Sequence, residues 1–182
     1  MRKVNVTEFV SLDGVMESPE KWTSQYFSQE VGSFKQDELF ASDAILLGRV
    51  TYEGFAAAWP SRTDETGFAD RINSLPKFVA TTTLSDLEWN NSRVINSVAE
   101  DVRKLKEEPG QDILVYRSKQ LVNSLMPLGL IDEYQIMIFP VVLGSGKRLF
   151  SEGVDKTGLK HVKTTTFDSG VVVLTYQPAG DE

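Results

Sequence analysis

Four consecutive apolar residues, Ala44-Ile45-Leu46-Leu47, run directly into Gly48-Arg49-Val50-Thr51-Tyr52-Glu53. This stretch constrains the fold more than any other. So short an apolar run reads as a strand buried on both faces, as in a sheet covered on either side by helices. Gly48 breaks the run, and Thr51 is placed to cap a helix starting at Tyr52, because its hydroxyl can accept from the open N–H groups of a first turn. A strand, a glycine and a helix start together make a natural anion site, and Arg49 adds a planar donor fork suited to phosphate. The same ten residues also fit an ordinary strand-to-helix turn, so the rest of the chain has to decide.

The flanking sequence continues the alternation. Residues 3–10 read as a first strand ending in the turn Ser11-Leu12-Asp13-Gly14, and residues 15–28 as an irregular loop rich in aromatics, with Trp22, Tyr26 and Phe27. Residues 30–40 carry Val31, Phe34 and Leu39 at near-helical spacing. After the helix at 52–58, short helices are expected at 68–75 and from Ser97-Val98-Ala99-Glu100, which has the form of a capping box. Strands are expected at 77–81, 93–95 and 112–116, and Ser118 is a candidate cap for a helix carrying Leu121, Leu125 and Met126. A long strand at 132–142 with Tyr134, Ile136, Ile138 and Phe139 inward, a glycine loop at 143–147 and a hairpin of 160–167 with 171–176 complete the chain. Alternation followed by consecutive strands predicts one α/β domain over residues 1–182, with a mostly parallel sheet and an antiparallel hairpin at its edge.

Composition narrows the function. With 19 basic and 26 acidic residues the formal charge is −7, which argues against non-specific nucleic-acid binding and anionic membranes, though not against a local basic pocket. There is no cysteine, hence no disulfide, thiolate metal site or cysteine nucleophile, in keeping with a cytoplasmic protein. The N-terminus lacks the apolar core of a signal peptide, and no apolar run approaches membrane-spanning length. One histidine, His161, gives no basis for a zinc site. Gly144-Ser145-Gly146-Lys147-Arg148 is not a phosphate loop, because Val141 stands where the first glycine belongs and Arg148 where Ser or Thr would bind magnesium. What remains is a set of loops: Ser11 to Glu17, Gly48 to Thr51, Thr81 to Thr83 and Tyr116 to Lys119. The last three each follow a predicted parallel strand, and open α/β sheets bind ligands outside those strand ends.

Taken in order, Ser11-Leu12-Asp13-Gly14, Leu47 to Glu53, Ile113 to Tyr116, Leu130 to Glu133 and Pro140 to Phe150 resemble the reductase domain of bacterial riboflavin biosynthesis, which shares the dihydrofolate reductase fold. The resemblance covers nearly the whole chain. It implies a three-layer α/β/α domain with a central mixed sheet of about eight strands and NADPH as hydride donor. By position it implies Gly48, Arg49 and Thr51 at the cofactor phosphates, Thr81, Thr82 and Thr83 at the adenosine ribose and its phosphate, Tyr116, Arg117 and Ser118 at the pyrophosphate, and Leu12 and Asp13 beside the nicotinamide and substrate. In place of the family's glycine-rich turn, which lets backbone approach the pyrophosphate, this chain has Arg117-Ser118-Lys119. Two basic side chains there either add charge to the diphosphate site or block it. The zinc deaminase domain of the bifunctional enzyme has no counterpart here, so the resemblance is to a stand-alone relative.

On this reading the chain is an NADPH-dependent reductase of a small, pterin- or pyrimidine-like substrate, akin to 5-amino-6-(5-phosphoribosylamino)uracil reductase. The proton such a reduction needs has Asp13, Glu17 and Tyr116 as candidate sources, with Asp13 first if burial raises its pKa. An Asp-Gly turn residue is the plain alternative for Asp13. Trp22, Tyr26 and Phe27 either line a planar substrate pocket or pack onto the core. A degenerate member that binds a nucleotide, flavin or pterin without turnover is the other class. A homodimer is expected as well, with Val171-Val172-Val173-Leu174 as an apolar edge for the partner.

Overall fold

A computed structural model describes residues 1–180. Eight strands form a single mixed sheet: β1 (Val4–Ser11), β2 (Ser42–Gly48), β3 (Lys77–Ala80), β4 (Ser92–Ile95), β5 (Asp112–Tyr116), β6 (Glu133–Phe139), β7 (Leu159–Thr166) and β8 (Val172–Pro178). Their order is β4-β3-β2-β5-β1-β6-β8-β7, with all pairings among β1 to β6 parallel and β8 antiparallel to both β6 and β7. Five α-helices connect them: α1 (Gln29–Phe40), α2 (Arg49–Ala58), α3 (Phe68–Ser74), α4 (Val98–Glu107) and α5 (Lys119–Leu125). The α/β class, the eight strands and the C-terminal hairpin are as the sequence predicts.

The apolar run at 44–47 explains the layering. Successive side chains of a strand point to opposite faces. Ala44 and Leu46 join Val4, Val6, Ile113 and Val115 against Val102 and Leu105 of α4 and Leu121, Val122 and Leu125 of α5. Ile45 and Leu47 join Val79, Leu114 and Tyr116 against Leu39 of α1, Tyr52 of α2 and Ile72 of α3. A third cluster, of Phe9, Trp22, Val31, Met137, Phe139, Val171 and Val173, seals the β6–β8 side. Truncating any of the fully buried leucines of β2 to alanine removes about 2–5 kcal/mol of packing.

Several local expectations are corrected. Helix α2 begins at Arg49 with Gly48 as its cap, so Thr51 lies inside the first turn rather than before it. Ser118 does stand at the cap position of α5, but its hydroxyl makes no capping bond and is engaged elsewhere. The capping box at Ser97 is half made: the Ser97 N–H donates to Asp101 Oδ2 at 3.1 Å, one residue beyond the expected Glu100. β6 packs on both faces, Tyr134 into one cluster and Met137 and Phe139 into another, so Phe139 faces away from Tyr134. Val171 to Leu174 is no edge, since β8 lies between β6 and β7 and Val171 and Val173 are buried. The edge is β7, whose residues are mostly exposed. No helix among the described residues is long and apolar enough to cross a membrane.

Candidate dinucleotide and substrate site

β2 and β5 are sheet neighbours, and the helices that follow them leave on opposite faces, α2 with the α1–α3 layer and α5 with the α4–α5 layer. Such a divergence opens a crevice at the carboxyl ends of the strands. The register Leu46↔Val115, extended by two residues, puts Gly48 beside Arg117 at the mouth of that crevice.

The two loops are tied together there. The Gly48 N–H donates to Ser118 Oγ at 2.8 Å, and the Thr51 hydroxyl donates to the Arg117 carbonyl at 3.0 Å. Ser118 Oγ also lies 2.7 Å from the Tyr116 carbonyl and 3.1 Å from Thr51 Oγ1. Arg49 reaches the third loop, with Nη1 donating to Thr83 Oγ1 at 3.0 Å while Nε meets Glu53 at 3.2 Å. Thr81 Oγ1 accepts from the N–H groups of Thr83 and Leu84, both at 3.2 Å, and Thr82 is exposed beside them. Thus Gly48, Arg49, Thr51, Thr81, Thr82, Thr83, Tyr116, Arg117 and Ser118 converge on one end of the sheet. The first turn of α2 carries no side-chain cap, so its N–H groups face that end without an internal acceptor from a cap.

Arg117 stands where the glycine turn was expected, and its backbone keeps a glycine-like φ of 44°. A non-glycine residue in this left-handed region costs about 1–2 kcal/mol. Its guanidinium lies 5.1 Å from the Phe9 ring centre and 5.7 Å from that of Phe55, within cation–π range of both. It has no ion-pair partner among the described residues. Burial pulls it below its ordinary pKa, opposed at longer range by Glu20 and Glu8.

Beneath it, Lys35 of α1 is buried, bonded to Thr7 Oγ1 at 2.7 Å and paired with Glu38, and its ammonium lies 4.9 Å from the Tyr116 ring centre. Burial lowers Lys35 and Glu38 opposes the shift. The Tyr116 hydroxyl is buried without a partner, and burial pushes it well above the usual phenol value. Glu8, a residue the sequence reading passed over, is 0 % exposed with both carboxyl oxygens unbonded. Its signal in the sequence was a lone carboxylate at an inward position of β1, in the row Val4, Val6, Glu8, Val10.

The Asp13 loop has a different chemistry. The Asp13 carboxylate accepts from the Ser11 hydroxyl at 2.6 Å and from the N–H groups of Leu143 at 3.1 Å and Gly144 at 2.8 Å. These bonds hold it down at about 2, with Ser11 contributing most. The expectation of a raised Asp13 is therefore reversed: the group sits in donors, not in apolar surroundings, and clasps the turn to the glycine loop. Arg148 adds a bond from its guanidinium to the Asp13 carbonyl. Glu17 accepts from the Lys147 N–H at 3.4 Å and lies 3.7 Å from the Lys147 ammonium, at the surface.

Of the aromatics, Trp22 packs edge-on against Phe139 and donates its indole N–H to the Glu17 carbonyl at 2.9 Å. Tyr26 also lies against Phe139, its hydroxyl 3.3 Å from the Pro140 carbonyl. Of the three only Phe27, beside Phe9, is exposed, at 45 %, and Leu12 is exposed at 67 %. Two shallow hollows lie elsewhere, one along α1 near Phe167 and one between α2 and Trp89.

Comparison with known proteins accords with this architecture. The family model of the RibD C-terminal domain matches residues 2–173. YyaP of Bacillus subtilis (strain 168), itself uncharacterized, is 33 % identical over 178 residues, spanning 96 % of this chain and 94 % of the relative. A crystal structure from Shewanella sp. PV-4, provisionally named a riboflavin biosynthesis protein, superposes with a TM-score of 0.78 at 20 % identity, over 97 % of this chain and 99 % of that one. The diaminohydroxyphosphoribosylaminopyrimidine deaminase/5-amino-6-(5-phosphoribosylamino)uracil reductase of Thermotoga maritima superposes with a TM-score of 0.68 at 14 % identity, over 98 % of this chain and 57 % of that larger one.

Proposed function

The chain belongs to the RibD C-terminal domain family, and from that premise we propose that it is an NADPH-dependent reductase of a small planar substrate of pyrimidine or pterin type. The observation that carries the reading is the hydrogen-bonded junction of Gly48, Thr51, Arg117 and Ser118, extended by Arg49 to Thr83, at the divergence of β2 and β5. Two guanidinium groups, one with no acidic partner among the described residues, fit a diphosphate. Arg49 and the threonines at 81–83 would hold the adenosine end. Phe9, Phe27 and Leu12 offer apolar surface to a flat ring, while Trp22 and Tyr26 support that surface from beneath. When bound, the dinucleotide supplies the hydride. The protein positions the ring, excludes water and provides the proton. The chain would act in the cytoplasm as a homodimer.

A second reading has its own observation. Arg117 lies folded over Phe9 and Phe55, inside the crevice. If it stays there, the chain binds a nucleotide, flavin or pterin without turnover.

Titrating the protein with NADPH while following tryptophan fluorescence tests the first reading. Saturable quenching that weakens in both Arg49→Ala and Thr51→Val supports it. Absence of quenching at millimolar NADPH rejects it. Binding without NADPH oxidation across a pyrimidine, pterin and carbonyl panel selects the second.

A further inference from the structure

β8 begins Val172-Val173-Leu174-Thr175-Tyr176, apolar on both sides in the manner of β2, yet only one side of it is covered. Val173 is buried with Met137 and Phe139 in the cluster of Trp22 and Val31. On the other side Val172 pairs with Ile138, Leu174 with Ile136 and Tyr176 with Tyr134. Directly paired residues share a side of the sheet. This is the α4–α5 side, where Ile136, Ile138 and Tyr176 pack at the margin of the main cluster. Apart from Tyr134 these residues stay half-exposed, because α4 and α5 pack chiefly over β1, β2 and β5.

An antiparallel sheet that meets water on one side normally carries polar and charged residues there. Here the charges are on the wrong side for that. β7 adds Leu159, His161, Thr164 and Thr166 to the open side, while Lys160, Lys163 and Glu133 point to the other. No Asp, Glu, Lys or Arg of the three strands stands on the open side. The segment leading into β7 borders it with more apolar surface. Leu149 is buried in the main cluster with its carbonyl held by Asn123 of α5, and Phe150 and Val154, which follow, are exposed.

We propose that this open side of β6, β8 and β7 is where a second copy of the chain docks, sheet on sheet about a two-fold axis. The proposal rests on the homodimer inferred above and gives it a contact surface. Each copy carries a formal charge of −7, so copies repel through most of their surface, and an uncharged apolar side is where they can meet. The area fits as well. The chain exposes 9948 Å², against about 8,800 Å² for a compact monomer of 20.3 kDa. The surplus of about 1,100 Å² exceeds the roughly 800 Å² that each partner gives to a standard interface. Pairing through the β7 edge is opposed, since that strand is bulged between His161 and Lys163 and carries Lys160 and Lys163.

Sedimentation equilibrium of the whole chain tests the surface, with Thr164→Lys and Thr165→Lys compared. The two substitutions are chemically identical and fall on adjacent residues of β7, neither of them buried. Thr164 points to the open side, and Thr165, paired with the buried Val173, to the other. The wild type is expected to run at twice 20.3 kDa and to dimerise more tightly as salt is raised, because screening removes the repulsion between acidic copies. Thr164→Lys is expected to weaken the dimer about 100-fold or more, since it sets like charges into an apolar contact, and Thr166→Lys, exposed on the same side, to repeat this. Thr165→Lys is expected to leave the dimer unchanged, with the same circular dichroism in all four proteins. A monomeric wild type overturns the proposal together with the homodimer. A dimer that survives Thr164→Lys and Thr166→Lys, that is lost equally in Thr165→Lys, or that weakens with salt overturns this surface alone. Quenching by NADPH reads the reductase separately: a dimer without quenching leaves the surface standing and overturns that reading.

Discussion

The hydroxyl of Ser118 accepts the N–H of Gly48 at 2.8 Å, joining the ends of two neighbouring strands 70 residues apart in sequence. This bond sets the separation of the two loops that form the crevice. Replacing Ser118 with alanine leaves the Gly48 N–H without its acceptor, and an orphaned donor of this kind costs about 1–2 kcal/mol. Urea denaturation of Ser118→Ala is expected to show a loss of that size with an unchanged m-value. NADPH binding is expected to weaken as well, since the α2 and α5 starts are no longer held in register. A loss of stability with unaltered NADPH affinity would place the junction outside the binding site.

Arg117 separates the two functional readings. In Arg117→Gly the left-handed φ of 44° becomes unstrained, which offsets the lost contacts with Phe9 and Phe55. The net change in stability is expected to stay within about 1 kcal/mol. If the guanidinium serves a diphosphate, NADPH affinity falls by about tenfold or more, the worth of one charge-assisted bond pair. Tighter binding in the glycine variant would instead identify Arg117 as an obstruction.

Much of the fold and of the crevice is legible in the sequence, for a physical reason in each case. The run at 44–47 is apolar on both strand faces because both faces are covered, so burial wrote itself into four adjacent letters. The convergence of residues 48–51, 81–83 and 116–118 followed from strand direction, because each loop leaves the carboxyl end of a parallel strand. Cap chemistry was less legible. Thr51 and Ser118 have the residue types of caps, yet their hydroxyls are drawn to each other and to Gly48 and Arg117 across the sheet, and no local pattern announces a partner 67 residues away. The same holds for Asp13, whose partners Leu143 and Gly144 lie 130 and 131 residues on. Glu8 went unread because a single carboxylate in an apolar row breaks a pattern without forming one.

The glycine loop is fixed by contact as well as by conformation. A Cβ on Gly146 would sit 2.6 Å from Val15 Cγ1, at a φ of +123°. Gly146→Ala therefore meets both backbone strain and overlap, and is expected to cost about 2–3 kcal/mol, read as a lowered midpoint in thermal or urea unfolding. Double replacement with Val15→Ala relieves only the overlap and is expected to recover part of the loss.

Asp13 is expected to act as a clasp. Asp13→Asn keeps the size but replaces an ionised acceptor by a weaker one. The amide of Gly144, bonded to Asp13 at 2.8 Å, is then expected to exchange faster with solvent, while the pH dependence of any turnover is unchanged. Because the Asp13 carboxyl is held below its ordinary value, its contribution to stability is present above about pH 4 and disappears as the pH falls toward 2. A pH–rate profile displaced in Asp13→Asn would return Asp13 to the chemistry.

Glu8 gives the stability curve an opposite slope in a separate window. Its folded value of about 8 lies above the usual carboxylate value, so between about pH 4.5 and 8 the folded chain keeps a proton that the unfolded chain releases. The Glu8 contribution is thus fully present below about pH 4.5 and is lost as the pH rises through 8. Asp13 and Asp64, both held low, act below this window. Lys77, lowered by burial to about 8, makes stability rise with pH above it. The wild type is therefore expected to lose on the order of 3 kcal/mol between pH 5 and 8, a loss absent from Glu8→Gln, whose amide does not titrate. Denaturation at pH 5 and pH 8 with both proteins measures it, and parallel curves for the two would show that Glu8 is ionised in the folded chain throughout.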